Sequence, residues 1–364
     1  MEASSLASSR SSRPIAIWLL VGVGMIIVQI ILGGITRLTG SGLSITEWNV
    51  VTGTLPPMNG AAWMQEFSKY QQTPQYHYLN FDFTLKDFKF IFFWEWFHRL
   101  WARLIGVVFL IPFIIFLLQK RFRPSMIKPM IILFLLGALQ GAVGWIMVAS
   151  GLTGDAVYVR PAKLALHFIF ALGLLCYTFW FALKLLIPSE KRKADSKAKT
   201  WSIGILFVLV LQLLYGALMA GHKAATAAPT WPDINGKMIP GGLNNGNGWV
   251  GLTDNKILVH FIHRGLAYIL LLLIVLLTVR LSRIKGSALF NRNKWWPLLL
   301  VCLQAVLGIL SVLNALKIIP GQWGLFESLA LVHQFTAMVL LLSLVWVLFM
   351  VTKRRDSPLT AALI

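Results

Sequence analysis

The chain is poor in charge, in acidic residues and in cysteine. Charged residues make up 13% of its 364 positions, against roughly 25% in an ordinary soluble domain, which excludes a conventional soluble enzyme. Only 13 residues are acidic, so a metal centre built from clustered carboxylates is disfavoured. The two cysteines, Cys176 and Cys302, stand alone inside separate apolar stretches. A disulfide scaffold, a zinc finger and a CxxC redox pair are therefore excluded, and both thiols read as small core hydrophobes. No long stretch alternates apolar with polar residues, as barrel strands would.

What is present is apolar length. Hydrophobic residues account for 57% of the chain, and eight runs are long enough to cross a bilayer as helices. They are read at about 15–37, 88–119, 127–149, 163–187, 202–221, 257–279, 295–316 and 325–351. The fold class is thus all-α and integral to the membrane. The net charge of +20 does not indicate nucleic acid, because twenty of the 33 basic residues sit in the tails and in the short links after the second, fourth and sixth helices. By the positive-inside rule those segments and both termini face the cytoplasm. The longer links, about 38–87 and 222–256, face outward. Residues 1–14 form a tail too short for a convincing transit peptide, and a bacterial inner membrane is the simplest location.

The chain reads as written twice. The odd helices carry Gln29 and Gly33, Gln140 and Gly144, Gln212 and Gly216, Gln304 and Gly308. The even helices carry His98, His167, His263 and His333. Corresponding positions are offset by 183, 165, 164 and 166 residues, and Trp48 of the first long loop is echoed by Trp231 of the second. This predicts two parallel four-helix bundles from internal duplication, 15–187 and 202–351, joined by a linker at 188–201 and followed by a tail at 352–364. The Gln-x3-Gly pattern reads as close helix packing.

Ionisable groups are costly in hydrocarbon, so the four histidines are functional candidates. Two per bundle at matching depth supply paired imidazoles, the arrangement required by a six-coordinate haem iron. Glu95 lies three residues before His98 and hence on its face. It can orient that ligand or stabilise positive charge on a substrate, or simply pair with Arg99. Arg99 and Arg264 each follow a candidate ligand and suit a haem propionate, with snorkelling to the interface as the alternative. His260 replaces Glu95 in the second half. It is a second candidate ligand there, although His263 aligns with His98 and is preferred. His77 and His222 read as non-ligands.

In order and spacing several motifs resemble the heme A synthase family: Gly33 to Thr39 followed by Gly40 to Ser44 and Trp48, Glu95-x-x-His98-Arg99, Gln140 with Gly144 and Trp145, Thr230-Trp231-Pro232, His263-Arg264 and His333-Gln334. The resemblance covers nearly the whole chain. It implies oxidation of the C8 methyl of heme O to the formyl group of heme A for cytochrome c oxidase. It further implies heme O between His98 and His167 with Glu95 assisting, and a heme b cofactor on His263 and His333. A heme O synthase and an electron-transfer protein are the implied partners, and the lipid membrane is the setting. Unlike some members of the family, both long loops lack cysteine, so a thiol-based electron route is excluded. Two other readings remain: a bis-histidine cytochrome b that only transfers electrons, and a parallel-repeat transporter with histidine proton relays.

Overall fold

The computed structural model describes residues 2–48, 52–243, 248–319 and 321–353. Among them eight helices are long and apolar enough to cross a membrane, so this is a multi-pass membrane protein. We label these helices α1 (Glu2–Leu38), α2 (Leu85–Leu118), α3 (Pro124–Ala149), α4 (Pro161–Leu186), α5 (Ser196–Gly221), α6 (Lys256–Ser282), α7 (Trp296–Leu313) and α8 (Leu325–Val351). The described residues contain no strand, only an isolated bridge between Ile234 and Lys237.

Several helices begin earlier than hydropathy predicts, because polar caps and not the apolar runs set their starts. Thr84 and Asp87 form a capping box at α2, and Asp195 accepts from the Ala198 amide, 2.8 Å away, at α5. Residues expected in the linker, 196–201, therefore belong to α5. Helix α1 likewise runs through the stretch read as a tail, and most of the tail expected at 352–364 lies outside the described residues.

An even number of spans puts the first and last helices' free ends on one side. We call this the linker end, and the opposite one the long-loop end. Helices α1, α4, α5 and α8 pack together at the centre, with α2 and α3 flanking the first half and α6 and α7 the second. Leu175, Ile274, Leu277, Met338 and Leu344 are fully buried in this core. A second cluster, formed by Trp18, Met126, Met130, Leu133 and Phe181 with Phe109 and Phe113 against it, fills the linker end of the first half. In α2, Pro112 supplies no amide to the carbonyl of Val108. The indole of Trp18 donates to that carbonyl at 2.8 Å instead.

The seam between halves is polar and tight. Gln334 donates to the Ile30 carbonyl at 2.9 Å, beside Gly34, where a β-carbon would meet Leu331 at 2.9 Å. Arg37 donates to the carbonyl of Ala220, the residue 183 positions on that is its counterpart in the repeat. At the linker end the connector docks on the last helix: the Lys193 and Asp195 amides donate to the carbonyls of Met350 and Val351 at 2.9 and 3.0 Å. The Arg192 guanidinium reaches the Thr352 carbonyl, and Asp195 pairs with Arg280.

Cys176 is half-buried, but Cys302 is exposed on α7. The expectation of a core residue fails there because an apolar run cannot distinguish a lipid-facing position from a buried one.

Candidate functional site

Each of the four histidines is held by the same two residues of a neighbouring helix. Nε2 of Gln29 lies 3.0 and 3.3 Å from the ring nitrogens of His98 and donates to its backbone carbonyl. Gln140 repeats this at His167, with 3.3 and 3.2 Å to the ring nitrogens. In the second half, Gln212 and Gln304 lie 3.4 and 3.3 Å from Nε2 of His263 and His333. Four residues after each Gln comes the Gly that admits the ring. A β-carbon on Gly33, Gly144, Gly216 or Gly308 would lie 3.2, 2.9, 3.2 or 3.0 Å from Cε1 of the matching imidazole.

The Gln-x3-Gly pattern therefore does more than let helices approach. It forms a cradle, with an amide against the ring and empty volume beneath it. The signal was present in the sequence as four such motifs alternating with four histidines, but spacing alone does not reveal which helices face each other. His98 and His167 lie in the first half and His263 and His333 in the second. His77 is exposed, and His222 donates to the Thr253 carbonyl, so neither lies in such a cradle. His260 is buried and neither of its ring nitrogens has a hydrogen-bond partner.

The two long loops are fastened to α2 and α6 by a shared device, an arginine that follows each cradled histidine. Glu95 is 3% exposed and accepts four hydrogen bonds. Its Oε2 receives the Ser44 amide and hydroxyl, each at 2.7 Å, and the Ile45 amide at 3.0 Å. Its Oε1 receives Arg99 at 2.6 Å. Arg99 also donates to the carbonyls of Ile45 and Glu47. In the second half Arg264 grips its own loop through the carbonyls of Asp233, Ala228 and Thr230, at 2.7, 2.9 and 2.8 Å.

The loop that follows Gly40 folds onto α2. Its helix Gly60–Gln71 turns Phe67 and Tyr70 against Phe88, with ring centroids 5.1 and 5.3 Å apart. This helix thus packs on protein, and burial pushes the Tyr70 phenol up to about 12. In the second loop, hydrogen bonds from Thr230 and the Gly236 amide hold the Asp233 carboxyl below the usual carboxylate range.

Among the described residues, no three His, Cys, Asp or Glu side chains converge to form a metal site from protein ligands alone. A pair of imidazoles would be a donor set that a porphyrin completes. The Nδ1 atoms of His263 and His333 are buried without hydrogen-bond partners, so these residues fit a haem.

These features define a multi-pass membrane protein that holds four imidazoles, in cradles of one design, near its long-loop end. Residues 16–354 match the COX15-CtaA family of cytochrome oxidase assembly proteins, and the chain belongs to that family. It is 40% identical over 336 residues to a heme A synthase of Bradyrhizobium sp. (strain ORS 278), covering 92% of this chain and 90% of that one. A heme A synthase of Flavobacterium psychrophilum is 38% identical over 94% of this chain and 100% of its own. One from Caulobacter vibrioides is 39% identical, with 93% and 96% covered.

Proposed function

We propose that this protein is a heme A synthase, oxidising the C8 methyl of heme O to the formyl group of heme A for cytochrome c oxidase. One observation carries the reading. Both halves present the same histidine cradles, yet only the first places a carboxylate, Glu95, one turn before its ligand, where the second has His260. A pair of electron-carrying pockets has no use for that difference.

In this reading His98 and His167 hold heme O and fix the orientation of its ring. Glu95 places negative charge beside the substrate, where it favours positive charge developing as the methyl is oxidised. The strap at 44–47, fastened to Glu95 and Arg99, keeps water from the ring edge. Arg99 and Arg264 would supply charge-assisted hydrogen bonds to anionic propionates. His263 and His333 hold a heme b, which when bound supplies one-electron transfer. The excess of Lys and Arg in the links and tails supports a linker end and both termini in the cytoplasm, with the haem pockets toward the periplasmic side of a bacterial inner membrane. Heme O synthase is then the source of substrate, and an electron-transfer protein takes the reducing equivalents.

The test is extraction and mass analysis of haems from protein purified with and without a heme O source. Heme b in both preparations, with hydroxylated or formylated haem only in the first, is expected. Heme b alone in both would leave an electron carrier.

A further inference from the structure

One buried side chain stands outside both the cradles and the loop fastenings. His260 is 1% exposed, and neither of its ring nitrogens has a hydrogen-bond partner. Among the described residues no other histidine is buried with both nitrogens unpartnered. A neutral imidazole carries one donor and one acceptor, and burying them unanswered is unfavourable. Such a group calls for a partner.

The helix fixes where that partner would lie. On α6 the 3.6-residue turn sets His260 between His263 and Arg264 around the axis, one turn nearer the long-loop end. Glu95 has the same place on α2. There the protein itself satisfies the position, through Ser44, Ile45 and Arg99. The repeat offset of 183 puts Ala227 and Ala228 at the places of Ser44 and Ile45, and neither has a hydroxyl. The short helix Ala224–Ala227 packs on α6, with Ala224 and Ala228 fully buried. Arg264 turns to the loop carbonyls of Asp233, Ala228 and Thr230. The second half thus covers this position with methyl groups, and no protein group answers the ring.

We infer that His260 donates a hydrogen bond to a carboxylate at the edge of the porphyrin that His263 and His333 hold. The inference rests on the proposed function and deepens it, because it assigns a residue that seats the second-half haem. Charge is costly toward the middle of a bilayer, so the propionates of a haem belong at the long-loop end of its pocket. His260 is one turn from the ligand in that direction. A neutral imidazole N–H bonded to a carboxylate is a charge-assisted hydrogen bond, and it buries no second charge. A glutamate at this position would repel a propionate. In the first half Glu95 is instead committed to Arg99 and the loop.

His260 is then a positioning residue with an electronic effect. Its hydrogen bond draws charge from the propionate, which stabilises ferric iron less and raises the midpoint potential.

The experiment compares His260→Leu, His260→Phe and His260→Gln with the wild type, each as the full-length chain purified with its resident haem. Leu and Phe have no polar side-chain atom, and Gln keeps a donor. The signal read is the haem component that His263→Ala removes. Its midpoint potential is measured by redox titration and its propionate deformation band by resonance Raman. Both apolar variants are expected to keep the low-spin spectrum and shift the propionate band. They should favour the oxidised form by about tenfold at a given potential, or about 59 mV for one electron. His260→Gln should restore both band and potential. Phe keeps a ring in place, so one apolar variant remains readable if the other fails to accumulate.

An unchanged potential and band in the apolar variants overturns the inference. So does an equal shift in all three variants, which would mark a packing role. Loss of the low-spin spectrum in all three would make His260 an iron ligand, which also overturns it. Absence of any His263-dependent haem signal in the wild type would instead remove the proposed function, and the inference with it.

Discussion

A β-carbon on Gly144 would lie 2.9 Å from Cε1 of His167, closer than packed atoms tolerate. The imidazole occupies the volume that any other residue would claim. Three further glycines stand in the same relation to three further histidines, so the fold reserves space for rings before it supplies anything for them to hold.

Substituting these glycines is expected to expel haem selectively. Gly144→Val should displace the His167 ring at an overpacking cost of about 1–3 kcal/mol and deplete haem from the first pocket. Gly216→Val should deplete heme b. Pyridine haemochrome analysis of each purified variant checks this, and retention of full haem in both would show that the clearance has no bearing on binding.

The glutamines are expected to tune what the histidines bind. Each Oε1 is buried without a partner, and rotation of the amide lets it accept an imidazole N–H. Gln212→Leu should then raise the midpoint potential of the second-half haem and Gln212→Glu should lower it, because a stronger acceptor makes the ring a better donor to iron. Redox titration distinguishes this from a packing role, which predicts no opposite shifts.

Glu95→Gln is expected to leave haem bound but stop heme A formation, since the amide keeps the shape and loses the charge. Ser44→Ala, which removes one of four hydrogen bonds, should lower the yield without abolishing it. Product analysis by mass gives the answer, and wild-type yield from Glu95→Gln would dismiss the carboxylate.

Two substitutions separate the candidate ligands of the second half. His263→Ala should remove heme b, whereas His260→Ala should leave its absorbance intact. Loss of heme b in His260→Ala alone would reverse the assignment.

At the linker end, burial works against the Asp195 carboxylate, but the Ala198 amide and the Arg280 guanidinium outweigh it and hold the group below the ordinary carboxylate range. A group made a stronger acid by folding stabilises fully above its unfolded value, about 4, and loses that contribution as pH falls through the folded one. Asp195→Ala should therefore cost about 0.5–2 kcal/mol near neutrality, as cap removals do. The gap to wild type should close in acid, which thermal melting in detergent across pH measures.

Much of this was legible in the sequence because bilayer thickness forces apolar length and histidine is scarce in such runs. The eight helices and the singling out of His98, His167, His263 and His333, each of which sits in a cradle, follow that logic. Other features were hidden for physical reasons. The hydrogen bonds that Ser44 and Ile45 make to Glu95 join residues about fifty positions apart, and no periodicity encodes a loop strap. The anchoring of Arg99 and Arg264 on backbone carbonyls is invisible because every residue has a carbonyl. Cys302 faces outward because a membrane span is apolar on all sides, which erases the contrast that marks an inner face in water.

The docking of the connector on the last turn of α8 sets an order of events. All four helices of the first half are complete before Lys193 is made, but its carbonyl partner, Met350, lies in α8 and is made only after three more spans. The latch between connector and α8 cannot close until the second half has been synthesised, so the first half can fold ahead of it.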